Sequence, residues 1–300
     1  MFALRAQDPS PIRVNVRLVN LAFSVRDASG KPVTGLTRDD IEVLDDGAAQ
    51  PISFFSRSAD LPLSLGLIVD GSGSQSHFVK QHDHDLKVFL KGVLAKQDQA
   101  FLLCFGNHLR LASDFSGSAG DLIDGLKTYE HKPQNIPEIG PKETRELGTA
   151  FYDALYYATT LKLAKSESGR RALIVFSDGE DNSSAHHMLD AIEAAQSENV
   201  VIFAIRYTES RKGALTARNK YGMRVMERIA RETGGRDFDA QKADMKESFA
   251  AIAEELRSSY EVAYHSPNQA DGTFHKVVVR AKTPGLTVRA KTGYFSSSGN

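Results

Sequence analysis

The sequence predicts an α/β protein: a doubly wound, mostly parallel sheet flanked by helices, with a small β-sandwich built from the two ends of the chain. Three observations lead there. Uncharged runs at residues 63–69, 100–105, 172–177 and 200–205 read as strands buried on both faces. Segments of helical period alternate with them, which implies right-handed crossovers between parallel strands. Outside this block, residues 12–57 and 259–295 have strand-like alternation and turn punctuation.

Taken in order, residues 12–57 place Val14, Val16, Leu18, Ala22, Phe23 and Val25 at apolar positions, with turns at Asp27-Ala28-Ser29-Gly30 and Asp45-Asp46-Gly47. Residues 41–44 and 52–55 bracket a hairpin across Asp46-Gly47. A segment of about 45 residues hardly buries a core alone, and the missing strands are at 260–264, 276–280 and 286–290. The expected division is therefore 12–57 plus 259–295 as the sandwich and 62–257 as the α/β unit. Within the latter, helices are expected at 78–94, 119–126, 149–163, 185–196, 221–233 and 244–256. Ala154, Leu155, Ala158 and Leu161 give one of them a single apolar face, and Ile192 and Ala195 do so for the next. Residues 109–115 add an antiparallel strand after a turn at Gly106-Asn107.

Residues 128–147 break the pattern. They hold Pro133, Pro137, Gly140 and Pro141 with no regular period, and a loop of about 20 residues in a compact domain is often functional. It runs into Thr149 and is expected to help select a ligand.

Composition narrows the function. In 300 residues, 41% hydrophobic and 25% charged, the values are those of a globular protein. A net charge of -1 argues against broad attraction to nucleic acid or an anionic membrane. No run approaches the roughly 18 apolar residues of a membrane span. The single cysteine, Cys104, lies in an apolar run and reads as a buried, inert thiol.

The chemistry concentrates at Asp70-Gly71-Ser72-Gly73-Ser74, where a buried strand ends in an acid and two hydroxyls spaced by glycines. The glycines allow a tight turn that converges the three oxygens. Oxygen donors without Cys or His suit a hard divalent cation such as Mg2+. The carboxyl end of a strand is also where open α/β sheets bind ligands.

Two later segments join this loop: Leu147-Gly148-Thr149-Ala150-Phe151-Tyr152-Asp153, and the second buried run ending Phe176-Ser177-Asp178-Gly179. In order and spacing, Asp70-x-Ser72-x-Ser74, Thr149 and Asp178 resemble the metal-ion-dependent adhesion site of von Willebrand factor type A (VWA) domains. From Val14 to Phe295 the chain is similar to the bacterial VWFA-related domain proteins common in Acidobacteria, including Gly30-Lys31-Pro32-Val33-Thr34-Gly35-Leu36 ahead of the A domain. The resemblance implies Ser72 and Ser74 as direct ligands, Thr149 as a switchable one, and Asp70 and Asp178 acting directly or through water. It implies Mg2+, with Mn2+ or Ca2+ as alternatives, and a protein or peptide partner that offers an Asp or Glu carboxylate. It also implies export, to the periplasm or beyond, with a cytoplasmic location as the alternative; on the first reading Met1 to Asp8 would be the tail of a signal peptide.

Departures from the family pattern occur at Gly71, where a side chain is frequent and whose extra glycine predicts a looser loop, and at Gln75, in place of a frequent Met. Neither is expected to ligate a cation. Glu180 and Asp181 read as supporting or solvated acids, and His82 and His84 as part of a solvated helix face. His186-His187 carries no zinc spacing. Enzyme motifs fail: Ser72 lacks the Gly-x-Ser-x-Gly frame, and Ser72 stands where a P-loop needs Lys. The reading is a non-enzymatic, metal-dependent binding module for adhesion or assembly. Its rivals are a scaffold whose cation only pins loops and, less favoured, a Mg2+-dependent hydrolase.

Overall fold

The computed structural model describes residues 18–57, 61–141, 148–166, 169–208, 214–268 and 271–296. Val14, Val16, residues 1–8 and positions 142–147 of the proline-containing loop lie outside them. The chain begins with β1 (Leu18–Arg26), β2 (Ile41–Asp45), β3 (Ala48–Gln50) and β4 (Ile52–Arg57). The central block opens with β5 (Leu63–Asp70), α1 (Val79–Val93), β6 (Gln99–Phe105), β7 (Leu109–Ser116) and α2 (Ala119–His131). It continues through α3 (Phe151–Tyr157), β8 (Arg170–Ser177), α4 (Met188–Ser197), β9 (Val200–Arg206), α5 (Ala217–Glu232), β10 (Asp237–Asp239) and α6 (Met245–Arg257). Four strands close the chain: β11 (Tyr260–His265), β12 (Phe274–Ala281), β13 (Thr287–Ala290) and β14 (Gly293–Phe295).

The central sheet has the order β10-β9-β8-β5-β6-β7. All its pairings are parallel except β6 with β7. From β5 the chain crosses to β6 on one side and later to β8 on the other, so the winding reverses between β5 and β8. A crevice opens at the carboxyl ends of strands at such a switch point. Every residue of β5 is buried, as expected for a strand covered on both faces. The pleat sends Leu65 and Leu67 towards Phe89 of α1, Leu122 of α2 and Ile252 of α6. Ile68 goes to the opposite core with Phe151 of α3, Ile192 of α4 and Ile229 of α5. Cys104 is buried in the first of these cores, and burial pushes its thiol up, away from reactivity.

The two ends of the chain form antiparallel sheets ordered β13-β1-β11-β4 and β14-β12-β2-β3. Strand β1 pairs with β11 from Leu18↔His265 to Phe23↔Tyr260, so the amino-terminal segment needs the carboxyl-terminal one as its neighbour. Leu21, Phe23, Val43, Tyr260, Val262 and Val277 fill the shared core. Residues 24 to 26 then dock on α6. The Ser24 hydroxyl donates to Glu255 at 3.0 Å, and the Arg26 guanidinium meets the same carboxylate at 3.4 Å.

Several elements differ from the sequence reading. The inward positions of β1 are Val19, Leu21, Phe23 and Val25, while Leu18 is exposed and Ala22 half-buried. The Asp46-Gly47 hairpin joins β2 to β3, not to residues 52–55; both turn residues have positive φ, which suits a tight two-residue turn. Pro51, without an N–H, ends β3, and β4 crosses to pair with β11 in the other sheet. The helix expected over 149–163 is α-helical only in α3, then widens to a π turn at Ala158–Lys162. There the Thr160 hydroxyl bonds back to the Tyr156 carbonyl at 2.9 Å, a competition typical of Thr within helices. Helix α2 runs on to His131, so the irregular segment is shorter than 128–147. Its residues 137–139 bond along β7, through Leu111 N–H to Pro137 O at 2.9 Å and Ile139 N–H to Leu109 O at 3.0 Å. Strands β10 and β14, three residues each, are too short to show a period. Among the described residues no helix is long and apolar enough to cross a membrane.

Glu255 is 4% exposed and also faces Arg236 at 3.8 Å. Replacing it by Ala takes the acceptor from the Ser24 hydroxyl and the buried carboxylate from Arg26, which keeps the Gly30 and Ala251 carbonyls and the more exposed Glu254. Urea unfolding of Glu255→Ala should show a loss of about 3 kcal/mol. A loss below about 1 kcal/mol, the range of exposed ion pairs, would mean that this contact does not hold the joint.

Candidate metal centre

Strand β5 delivers Asp70 to the switch point, 1% exposed. The Gly71 N–H bonds to the Phe105 carbonyl at 2.7 Å, turning the chain beside the end of β6. The Asp70 carboxylate accepts the Ser72 N–H at 2.9 Å and the Ser177 hydroxyl at 2.6 Å, the latter from the last residue of the adjacent β8. Ser72 and Ser74 hydroxyls lie 3.1 Å apart, and Ser74 Oγ donates to Asp178 Oδ2 at 2.9 Å. Asp178 Oδ1 accepts the Glu180 N–H at 3.0 Å across Gly179, whose φ of 78° is the left-handed turn that leaves β8. Beside them is a cavity of about 160 Å³ bounded by Gly73, Ser74, Gln75, Asp178, Glu180 and Asn219.

Asp70, Ser72, Ser74 and Asp178 are thus linked by hydrogen bonds, while Thr149 arrives by its backbone. Ala150 N–H bonds to the Gly106 carbonyl at 2.8 Å, and Gly106 packs on the Gly71–Ser72 peptide. Thr149 N–H donates to Asn182 Oδ1 at 2.7 Å, and its carbonyl accepts Asn182 and Ser183 N–H groups at 3.1 and 3.2 Å. Thr149 is therefore clamped between the loop after β8 and the end of β6, and is 6% exposed.

The electrostatics are unbalanced. Burial, and then the neighbouring Asp178 carboxylate, push the Asp70 carboxyl up to about 7. Among the described residues no lysine, arginine or histidine forms an ion pair with Asp70 or Asp178; Glu180 has Arg218 at 2.6 Å, yet its carboxyl too is raised, by burial and by Asp178. Two carboxylates and three hydroxyl-bearing residues, with no soft donor, are a set that suits a hard divalent cation, whose charge would offset their mutual repulsion. The residues present fit such an ion.

Four contributors escape the motif. Ser177 closes over Asp70 as above, a hydroxyl at a strand end that the pattern gave no reason to choose. Gln75, expected to be incidental, is 1% exposed and its amide donates to Asp178 at 2.8 Å and to the Tyr207 carbonyl at 3.2 Å. Gly71 has a packing reason that the motif does not show: a Cβ there would run into the Tyr129 ring of α2, 2.7 Å from its Cε1. His82, expected on a solvated face, is 1% exposed; its ring stands edge-on to Tyr207 at 4.3 Å between centroids, while His84 is exposed. Asp181, read as a supporting or solvated acid, is a supporting one: it accepts the Tyr152 N–H at 3.2 Å near the start of α3.

Asp45, Asp46 and His275 form another acidic group, with ligand atoms within 4.8 Å of one another. Their oxygens are already engaged. Asp45 accepts Tyr264 at 2.8 Å, Tyr294 at 2.9 Å and Asn268 at 3.2 Å, and Asp46 accepts His275 at 2.8 Å and the Lys276 N–H at 2.9 Å. A cation here would displace that network, just as one held by Ser72 and Ser74 would displace their bonds to each other and to Asp178.

A doubly wound sheet with an oxygen-rich loop at its switch point defines a class of α/β binding domains. The model of the von Willebrand factor type A domain matches residues 65–255, and the chain belongs to that family. No curated protein matches it. Among solved structures it is similar to an aerotolerance-related membrane protein from Bacteroides fragilis, at 16% identity and a TM-score of 0.48, covering 65% of this chain and 98% of that one. The conserved hypothetical protein BatB from Bacteroides thetaiotaomicron aligns at 16% identity and a TM-score of 0.46, over 65% of this chain and 97% of its own. Proximal thread matrix protein 1 from the mussel byssus aligns at 14% identity and a TM-score of 0.49, over 71% of this chain and 51% of that one.

His82 makes a pH prediction. Neither ring nitrogen has a hydrogen-bond partner among the described residues, and burial lowers the imidazole from 6.5 to about 4. Its ring packs on Tyr207, whose hydroxyl donates to Asp85 at 2.6 Å, and Asp70, Tyr129 and Glu130 line the adjoining cavity. The unfolded chain takes up the proton near 6.5 and the folded chain only near 4. The neutral ring's contribution is therefore whole above 6.5 and is lost as pH falls towards 4. Comparison with His82→Phe by chemical denaturation should show the wild type losing about 2 kcal/mol more between pH 7 and pH 5. Parallel pH profiles would contradict a buried neutral His82.

Proposed function

We propose that the chain is a non-enzymatic binding module that recognises a protein or peptide through a divalent cation, Mg2+ in the first instance. The observation that carries this is the convergence of Asp70 and Asp178 at one strand edge with Ser72 and Ser74 between them and, among the described residues, no cationic side chain in ion-pair contact with either acid. In this reading Ser72 and Ser74 hold the ion directly, Thr149 joins when a ligand is present, and Asp70 and Asp178 act directly or through water. When bound, the cation supplies a positive centre to which an Asp or Glu carboxylate of the partner can attach. Gln75 and Ser177 orient the two acids by occupying one oxygen of each. The Ser72 and Ser74 hydroxyls are engaged with each other and with Asp178, not with an imidazole base, which supports binding over hydrolysis. Location outside the cytoplasm belongs to the same reading and rests on the family resemblance.

Thermal unfolding tests it. At a hundredfold excess over its dissociation constant, a ligand that binds only the folded state adds about 2.7 kcal/mol, several degrees in melting temperature for a chain of this size. Mg2+ added after EDTA should raise the wild-type melting temperature in a concentration-dependent way and leave Ser72→Ala/Ser74→Ala unmoved. A wild type indifferent to Mg2+, Mn2+ and Ca2+ at millimolar concentration would overturn the proposal.

A further inference from the structure

Helix α5 closes one side of the metal centre, and two glycines let it come close. A Cβ at Gly222 would collide with the Asp178 carbonyl, and one at Gly179 would sit 2.5 Å from the Gly222 carbonyl. The Thr216 hydroxyl caps the helix by accepting the Asn219 N–H at 3.1 Å, which fixes where α5 begins. Its first turn therefore meets the turn that carries Asp178, and Asn219 shares the cavity of about 160 Å³ with Ser74, Asp178 and Glu180.

Arg218 stands at the rim of this cavity. Its Nε meets the buried Glu180 carboxylate at 2.6 Å, which anchors the guanidinium beside the site by one edge. The side chain is 64% exposed, and its terminal nitrogens have no partner among the described residues. Those nitrogens form the planar fork that matches a carboxylate. Tyr221 and Arg224 follow at helical spacing on the same face, both exposed, before Glu227 ends the basic stretch. Tyr221, 59% exposed, sits against Tyr152 of α3, so this face runs along the metal centre. Arginine and tyrosine are the residue types that anchor protein interfaces. The chain as a whole is near neutral, at -1, so attraction of an acidic segment here is local.

We propose that Arg218 selects the partner: the segment that offers one carboxylate to the cation carries a second acid within a residue or two, which the free edge of the Arg218 guanidinium accepts. Tyr221 and Arg224 extend the contact along α5. This rests on the metal reading above and adds the class of partner, an acidic segment and not a lone acid. Glu180 holds Arg218 in place and takes no part in contacting the partner.

The test uses the full chain at saturating Mg2+ and two peptides, Ac-Gly-Glu-Asp-Glu-Gly-NH2 and Ac-Gly-Gln-Asp-Gln-Gly-NH2, which differ only in the charge beside the central acid. Binding is read by NMR of ¹⁵N-arginine-labelled protein, which reports on Arg218 Nε directly. The wild type should bind the Glu-flanked peptide about tenfold more tightly and shift the Arg218 resonance. Arg218→Gln should bring the two peptides within about twofold of each other. Each protein is compared with itself, so a change in cation affinity cancels. Lys31→Gln, at an exposed position on the sandwich, should keep the preference. Equal affinities in the wild type, no binding of either peptide, a preference that survives in Arg218→Gln, or one lost as fully in Lys31→Gln would each overturn the proposal. So would undiminished binding of the Glu-flanked peptide in EDTA. The melting temperature separates the two readings. A rise with Mg2+ but no preference sinks the choice of partner alone; no rise with Mg2+ sinks the cation reading and this inference with it.

Discussion

Two buried carboxylates at the ends of adjacent parallel strands set the terms for the rest of this molecule. Asp70 ends β5, Asp178 directly follows β8, and the register of those strands brings Val69 level with Phe176. Burial in a site that water barely reaches, and then repulsion between the two charges, push the Asp70 carboxyl up to about 7. Their neighbours are arranged around that problem. Ser177, Ser74, Gln75 and two backbone N–H groups satisfy the carboxylate oxygens, yet each of these donors is neutral. Neutral donors orient an acid without cancelling its charge, and that leaves the position suited to a cation.

The fold separates this site from the sandwich. Leu63, at the start of β5, lines a gap shared with Phe23 and Ser24 of the sandwich, whereas Asp70 is at the other end of the same strand. At roughly 3.3 Å per residue the two poles are about 23 Å apart. The joint is polar and specific: Glu255 gathers Ser24, Arg26 and Arg236, and Lys291 Nζ reaches the Gln196 carbonyl at 2.7 Å. Contacts of this kind fix the orientation of two packed units more than they add net stability. The sandwich thus holds the central sheet from its amino-terminal edge and leaves the carboxyl edge clear for ligands.

Much of the fold was legible because the strands of the central sheet are buried on both faces. Runs such as Leu65 to Val69 and Leu173 to Phe176 have no polar interruption, and their alternation with helical periods admits few topologies. Asp70, Ser72 and Ser74 stood out for a different reason, glycine-spaced oxygens at the end of a buried strand, whereas Thr149 and Asp178 were joined to them by the family resemblance. The parts that escaped depend on long-range packing. Nothing local distinguishes Gln75 from a surface glutamine, and only the closure of the loop against Asp178 and Tyr207 gives it work. His82 reads as polar, but α1 turns it onto Tyr207. The glycine at 71 is intelligible only once Tyr129, far along the chain, is seen to fill its space. In the sandwich the register of β1 was misjudged because an edge-exposed leucine at 18 looks as apolar as the buried one at 21.

The central claim is about position, so the most direct measurement is a positional one: anomalous scattering from crystals of the full chain grown or soaked with Mn2+. The account predicts an anomalous peak beside the Ser72 and Ser74 hydroxyls, between Asp70 and Asp178. A peak at Asp45, Asp46 and His275 instead, or none at Asp70 and Asp178 at saturating Mn2+, would contradict it.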